Sequence, residues 1–297
     1  MATAALLHDH EAPQRPTRWR LAALRRAPLL PLLIILLLVF TAVFANVLTP
    51  YSPVNISLPD RLKPPFWEVG GSLAHPLGTD PMGRDLLTRL IYGARISLLV
   101  GVLGLLAGGG VGAAVGLIAG YAGGRVDAVL MRVTDTALSF PIILFAILLV
   151  VILGGSLPTV VCAMALVLWA RFARVVRGEV LSIRERDFIA QARIIGGSPL
   201  RIILKHLLPN VLNTLVVLLS LQVGWVIIVE ASLSFLGAGV PPPTPTWGSM
   251  IAEGRDYIAS AWWVSLFPGL AILVTVLAFN LFGDWLRDAL DPTLRQL

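Results

Sequence analysis

Charge is what this sequence has least of. Only 13% of its 297 residues are Asp, Glu, Lys or Arg, against 57% hydrophobic. A soluble domain carries about twice that charged fraction, so a water-soluble globule is excluded. Cysteine is scarcer still. Cys162 is the only one, which rules out an internal disulfide, and its place inside an apolar run gives it a packing role. The four histidines, His8, His10, His75 and His206, are too scattered for a metal cage. No G-x-x-x-x-G-K-[ST] run is present, which excludes nucleotide binding in the P-loop manner. H-E-x-x-H, C-x-x-C and G-x-S-x-G are absent as well, so no catalytic residue and no metal site are assigned. The net charge of +6 does not point to nucleic acid, because the basic residues sort by loop and form no single patch.

What is present is long apolar sequence. Six runs are long enough to cross ~30 Å of hydrocarbon, near Leu29–Leu48, Ile96–Tyr121, Val133–Leu153, Leu157–Ala173, Val211–Leu236 and Val264–Phe282. They are unalternating, so the class is an all-α membrane protein with six transmembrane helices and not a β-barrel. The first run is too long for a signal-peptide core and lacks a small-x-small cleavage site, so it reads as a retained anchor. Orientation follows from Lys and Arg. With the N-terminus inside, the outer segments keep only Arg61, Lys63, Arg84, Arg89, Arg95 and Arg255, and every other Lys and Arg falls inside. Both termini are therefore expected in the cytoplasm. The chain divides into a basic cytoplasmic tail (1–28), a first span with an outer segment (29–94), and a core of five spans (95–297).

The most informative stretch runs from Arg184 to Asn210, a basic segment on the inner side between two apolar runs. Asp187 can cap a first helix with the apolar face Phe188, Ala192 and Ile195. Gly196 and Gly197 suit a left-handed exit. Ser198 is a good N-cap, with Pro199 at the first helical position. Leu200, Ile203, Leu204, Leu207 and Leu208 make a second apolar stripe, which Pro209 interrupts. A helical hairpin kept on the wet side of a lipid-soluble chain is a docking element for a soluble partner.

The second span carries Gly104, Gly108, Gly112, Gly116 and Gly120, an unbroken i+4 ladder. Small residues let helix backbones approach in lipid. Packing within the chain is the favoured reading, with a second membrane subunit or a moving gate behind it. Glu230 stands in an apolar span, where a charge costs ~2.5–3.5 kcal/mol on insertion scales. It is either structural or lines a pathway. Asp135 is expected to pair with Arg132 at the inner boundary, and Asp85 with Arg89 at i, i+4. Leu86, Leu87, Leu90 and Ile91 read as a short interfacial helix leading into the second span. Pro141 and Pro268 can kink their helices. Val240–Met250, rich in proline, reads as a stiff outer loop, and Trp262 and Trp263 suit the membrane interface. The spans lack the acidic and histidine relay of a proton-coupled carrier, so a carrier acting alone is the weaker alternative.

Several long motifs resemble one family, the "C"-type permease subunit of bacterial ABC importers of the dipeptide/oligopeptide/nickel type. His75–Leu98 resembles that family's HPLGTDxxGRDxxSRLxYGARxSL segment, Ser234–Gly248 its outer loop, and Ala278–Pro292 its terminal signature. The inner hairpin resembles the EAA loop within residues 176–209. Ala192, Gly196, Leu208 and Pro209 fit that pattern, whereas Ala190 stands at the Glu position, Gln191 at the next Ala and His206 at the Ile. Trp285 stands where the family often has a small residue. The resemblance implies a type I ABC importer fold in the bacterial inner membrane. It implies a homologous second permease, two cytoplasmic ABC ATPases that hold ATP and Mg, and an extracytoplasmic substrate-binding protein. Membrane lipid surrounds the chain and no cofactor is bound by it. Arg186, Arg193 or Gln191 would supply the polar contact to the ATPase that the missing Glu cannot. Dipeptides or short peptides are the leading cargo, with nickel chelates, glutathione or another small solute behind.

Overall fold

The computed structural model describes residues 28–290. The basic arginines of the tail, His8, His10, Arg295 and Pro292 lie outside them. Among the described residues the regular structure is helical throughout. A short helix α1 (Leu29–Val43) continues after a break at Phe44 as α2 (Ala45–Leu48). An irregular outer segment leads to α3 (Leu86–Ala122). Then come α4 (Gly124–Ser139), α5 (Ile142–Leu153) and α6 (Leu157–Ile183). The loop after α6 holds α7 (Asp187–Ile194) and α8 (Pro199–Ile202), and a π-helical turn (Ile203–Leu207) runs into α9 (Leu208–Phe235). The outer α10 (Trp247–Gly254) and the last helix α11 (Trp263–Leu290) complete the chain.

Four of these are long and apolar enough to cross a membrane: α3, α6, the continuous stretch Pro199–Phe235, and α11. The α4–α5 pair adds a fifth span if it counts as one, but it bends by 90° at Phe140–Pro141. Pro141 was expected to kink a continuous span. Instead it ends one helix and caps the next, as a missing N–H and a restricted preceding residue dictate. α1 has 15 residues, about 22 Å of helix, which is short of the hydrocarbon thickness. Among the described residues, then, four helices are long enough to span, five with the bent pair, and α1 is shorter. Pro268, by contrast, is carried inside α11.

The expected interfacial helix before the second span is not separate. Leu86 opens α3, a single helix of 37 residues, about 55 Å long. Asp85 caps it, its Oδ2 accepting from the Thr88 amide at 2.8 Å and from the Thr88 hydroxyl at 2.7 Å. α3 and α6 lie against each other along most of their length and form the centre of the molecule. α9 packs on α3 and α11, and α1 leans on α3 and α11. Most of the remaining apolar surface of the spans is exposed, as lipid-facing helices require. Cys162 belongs to that exposed surface and not to the packed interior expected for it.

Candidate functional site

The inner loop is built by local rules. α7 ends in a Schellman turn. The Gly197 amide donates to the Ala192 carbonyl at 3.0 Å and the Gly196 amide to the Arg193 carbonyl at 3.0 Å. Gly196 has φ +83°, where an L side chain is strained. Ser198 then caps α8, its Oγ accepting from the Arg201 amide at 3.4 Å, with Pro199 in the first turn. Three details differ from expectation. The N-cap of α7 is Arg186, and Asp187 sits one place on, in the first turn, where its charge still suits the helix dipole. Pro209 does not interrupt the second arm, because the π-turn at Ile203–Leu207 lets the helix run on into α9. The buried face is also different.

The loop stands on Ile189, Ile202 and Leu207, all buried in the main core. Phe188 and Ile195, expected to pack, point outward. Ile194 and Ile195 are 84% and 85% exposed, and Leu200 and Leu204 are exposed beside them. Apolar side chains are thus grouped at the tip of an otherwise polar loop. Arg186, Ala190, Gln191 and Arg201 are exposed around this tip, and Ala192 is half-buried. Arg193 lies over the Tyr121 ring at 5.4 Å, tying the loop to the inner end of α3. Leu208 and Pro209 lie in the root of the second arm and not at its tip.

The glycine ladder faces α6. A methyl group at Gly104 would come 2.8 Å from Met164 Cβ, at Gly108 2.8 Å from Leu168 Cβ, and at Gly120 2.7 Å from Val180 Cβ. At Gly116 it would come 2.6 Å from the Ala173 carbonyl oxygen, and at Gly112 it would overlap the Trp169 carbonyl oxygen. The seam is therefore occupied from within the same chain.

Glu230 is fully buried. The Ser97 hydroxyl of α3 donates to its Oε2 at 3.1 Å, and the Ser234 hydroxyl, one turn further along α9, to its Oε1 at 2.7 Å. This joins α3 to α9. Glu230→Gln should leave peptide selectivity unchanged and modestly lower the melting temperature of the purified protein. Glu230→Ala should cost ~2–3 kcal/mol, since two buried hydroxyls lose their acceptor. A changed preference across a peptide panel for Glu230→Gln would instead return the residue to the pathway.

The segment before α3, together with α10, holds the densest electrostatic cluster, which local spacing did not predict. Arg89 does not pair with Asp85. Its Nη1 binds Asp80 and, at 2.5 Å, Glu253 Oε2, while its Nη2 reaches Glu253 Oε1 at 3.1 Å. Arg84 donates from Nε to Asp80 at 2.6 Å and from Nη2 to Glu253 at 2.7 Å. Asp80, Arg84 and Arg89 are buried. Asp85, freed from the expected pair, accepts from or faces His75 Nδ1 at 3.0 Å. Nearby, Lys63 and Ser57 hold the Asp60 carboxyl below its ordinary range. The tryptophans also serve this segment. Trp263 is buried and donates to the Thr79 carbonyl at 3.1 Å, Trp262 donates to Glu68 at 3.1 Å, and Trp247 donates to the Leu90 carbonyl at 3.0 Å. The Val240–Met250 stretch is mostly tucked in, and only Pro241, Pro242 and Pro243 stand fully out. Glu253 lies 164 residues from Arg89, so no window of sequence could have paired them.

Between α4 and α6, Asp135 binds Arg174 at 2.6 Å and not Arg132. Asp127 takes both Nε and Nη2 of Arg177, at 2.8 and 2.6 Å. Arg171 donates to Gln222 at 3.2 Å and lies 4.8 Å over Trp225, linking α6 to α9. Among the described residues no group of His, Cys, Asp and Glu could hold a metal ion.

Comparison with known proteins agrees with this geometry. Residues 112–296 match the family model described as binding-protein-dependent transport system inner membrane component. The chain is 45% identical over 278 residues to the dipeptide transport system permease protein DppC of Escherichia coli K12, covering 94% of this chain and 93% of the relative. It is 44% identical to the di/tripeptide transport system permease protein DppC of Pseudomonas aeruginosa, covering 93% of this chain and 91% of that one. It is 43% identical to the glutathione transport system permease protein GsiD of an Escherichia coli O6 strain, covering 93% and 90%.

Proposed function

Because this chain belongs to the family of binding-protein-dependent transport system inner membrane components, we propose that it forms half of the translocation pathway of an ATP-driven peptide importer. A homologous permease supplies the other half. Two cytoplasmic ABC ATPases, which hold ATP and Mg, dock on the inner loops, and an extracytoplasmic binding protein delivers dipeptides or short peptides from above. The chain itself catalyses no reaction. In this reading both termini are cytoplasmic, α1 and α2 together (Leu29–Leu48) form a tilted first span, and the third crossing runs through α5, with α4 leading into it across the span direction. The similarity to a glutathione permease is almost as high as to the dipeptide ones, and glutathione is itself a small peptide, so it is the second cargo.

The observation that carries the reading is the exposed apolar tip Ile194, Ile195, Leu200 and Leu204, held on a buried root. A side chain left so apolar in water is stabilised when a partner covers it. The continuous second arm gives the coupling a physical route. Force applied to the tip passes along one helix, from Pro199 to Phe235, to the level of Glu230. ATP binding and hydrolysis then shift the populations of inward- and outward-open states, provided each partner binds one state better than the other.

Gly196→Pro tests this. Proline fixes φ near −65°, opposite in sign to the +83° found, and removes the amide that closes the turn. The tagged variant should insert normally yet retain no ATPase in a mild-detergent pull-down, and uptake should fall to background. Retention of the ATPases at wild-type level, with wild-type uptake, would remove the loop from the coupling role.

A further inference from the structure

One helix on the proposed inner side belongs neither to a straight span nor to the loop. α4 starts after Gly123, with φ +65°, and ends at a 90° turn into α5. Its inward face is fixed to α6 through Asp127–Arg177 and Asp135–Arg174. The two aspartates are eight residues apart, about 12 Å of helix, but their partners are three residues apart, about 4.5 Å. α4 stands perpendicular to the spanning α5.

Its outward side is not polar. Val126, Val129 and Val133 form one exposed stripe at i, i+3 and i+7, with Val129 62% exposed. The stripe leads through exposed Phe140 to exposed Leu144 on α5, so the medium that covers the span also reaches the valines. Along one edge stand Arg125 and Arg132, seven residues apart and thus on the same side of the helix. Both are exposed, and neither has an ion-pair partner among the described residues. A helix across the span direction, with an apolar stripe and a basic edge, matches the boundary between acyl chains and phosphates.

We propose that α4 is an interfacial helix that binds anionic phospholipid of the cytoplasmic leaflet, with its valines in the acyl layer and Arg125 and Arg132 on the lipid phosphates. This rests on the inward placement of α4 in the function proposed above. The occupant is lipid because the charge beside the stripe is positive and unpaired, which complements an anionic headgroup.

The test uses the permease within its purified transporter complex, in nanodiscs, carrying Cys162→Ser and a spin label at Val129→Cys. The label should meet oxygen far more often than a water-soluble nickel chelate. The association constant for phosphatidylglycerol relative to phosphatidylcholine should fall roughly five-fold for each of Arg125→Gln and Arg132→Gln. A label open to the chelate would place α4 in water, and one shielded from both colliders would place protein on it, such as the second permease. Either result overturns the proposal, as does an unchanged lipid preference in the double variant. Arg132→Cys should resist a membrane-impermeant thiol reagent added outside intact cells. Its modification from outside would overturn the leaflet assignment and, separately, the orientation of the whole chain.

Discussion

Gly112→Ala should break the central helix pair. The added methyl would overlap the Trp169 carbonyl oxygen and come 2.6 Å from Phe172 Cβ and 3.0 Å from the Ala173 amide nitrogen. Two of these three contacts are backbone, so no rotamer change relieves them. The helices must separate, and a separation at the middle of two long stiff helices is felt along the seam. Packing at Gly104, Gly108, Gly116 and Gly120 then loosens with it. Overpacking of this kind costs ~1–3 kcal/mol where side chains can yield, so at least ~3 kcal/mol is expected where they cannot. Lipid offers no hydrophobic drive to compensate, because the exposed seam would be covered by acyl chains just as apolar. Gly110→Ala is the matched control. It lies on the same helix, and nothing stands within 4 Å of its added methyl. It should be neutral or stabilise by up to ~1 kcal/mol through helix propensity. Melting of the two variants by fluorescence-detected size exclusion checks the contrast. Equal melting temperatures would mean that the α3–α6 seam is not held by close approach.

The parts of this molecule that could be read from sequence are those governed by neighbours in the chain. The apolar runs, the exit at Gly196 and the cap at Ser198 with Pro199 each depend on a few adjacent residues. Spacing also brought the five glycines to one face, though not which helix would fill it. Failures came wherever a distant group outcompeted a near one. Asp85 and Arg89 are well spaced for a helical pair, but Asp85 is needed at the N-terminus of α3, and Arg89 finds two carboxylates in a largely buried site. Arg174 likewise displaced Arg132 at Asp135. Burial on α7 shifted to Ile189 because the underlying core, and not the periodicity of an eight-residue helix, decides which side is down. Proline misled in both directions. Pro141 splits a span outright, while Pro209 is absorbed, since its missing N–H falls just after a π-turn that has already changed the bonding pattern.

The outer cluster supplies the counterpart to the inner loop. Asp80 and Arg84 belong to the irregular segment before α3, Arg89 to α3 itself, and Glu253 to α10. Four charges therefore bind three parts of the chain. Arg89→Met should be costly, ~3–5 kcal/mol, because Asp80 stays buried with one cationic partner in place of two and the site is left with net negative charge. Glu253→Gln should cost less. Its side chain is a quarter exposed, so water can reach part of the site. Adding Asp80→Asn to Arg89→Met should recover part of the loss by restoring neutrality, a non-additivity that only direct coupling produces. The Arg89 Nε, already buried without a partner, marks how tightly this site is enclosed. With the clamp open, protease added from the outside should cut within residues 49–85, and peptide uptake should drop while the ATPases still co-purify. Gly196→Pro should give the reverse, an outer segment that resists protease and no retained ATPase. On the proposed function, the two lesions would thus separate the face that receives cargo from the face that the ATPases drive. An Arg89→Met variant with wild-type melting and wild-type protease resistance would mean that the tryptophan hydrogen bonds to Thr79 and Glu68 hold the outer segment without the ionic cluster.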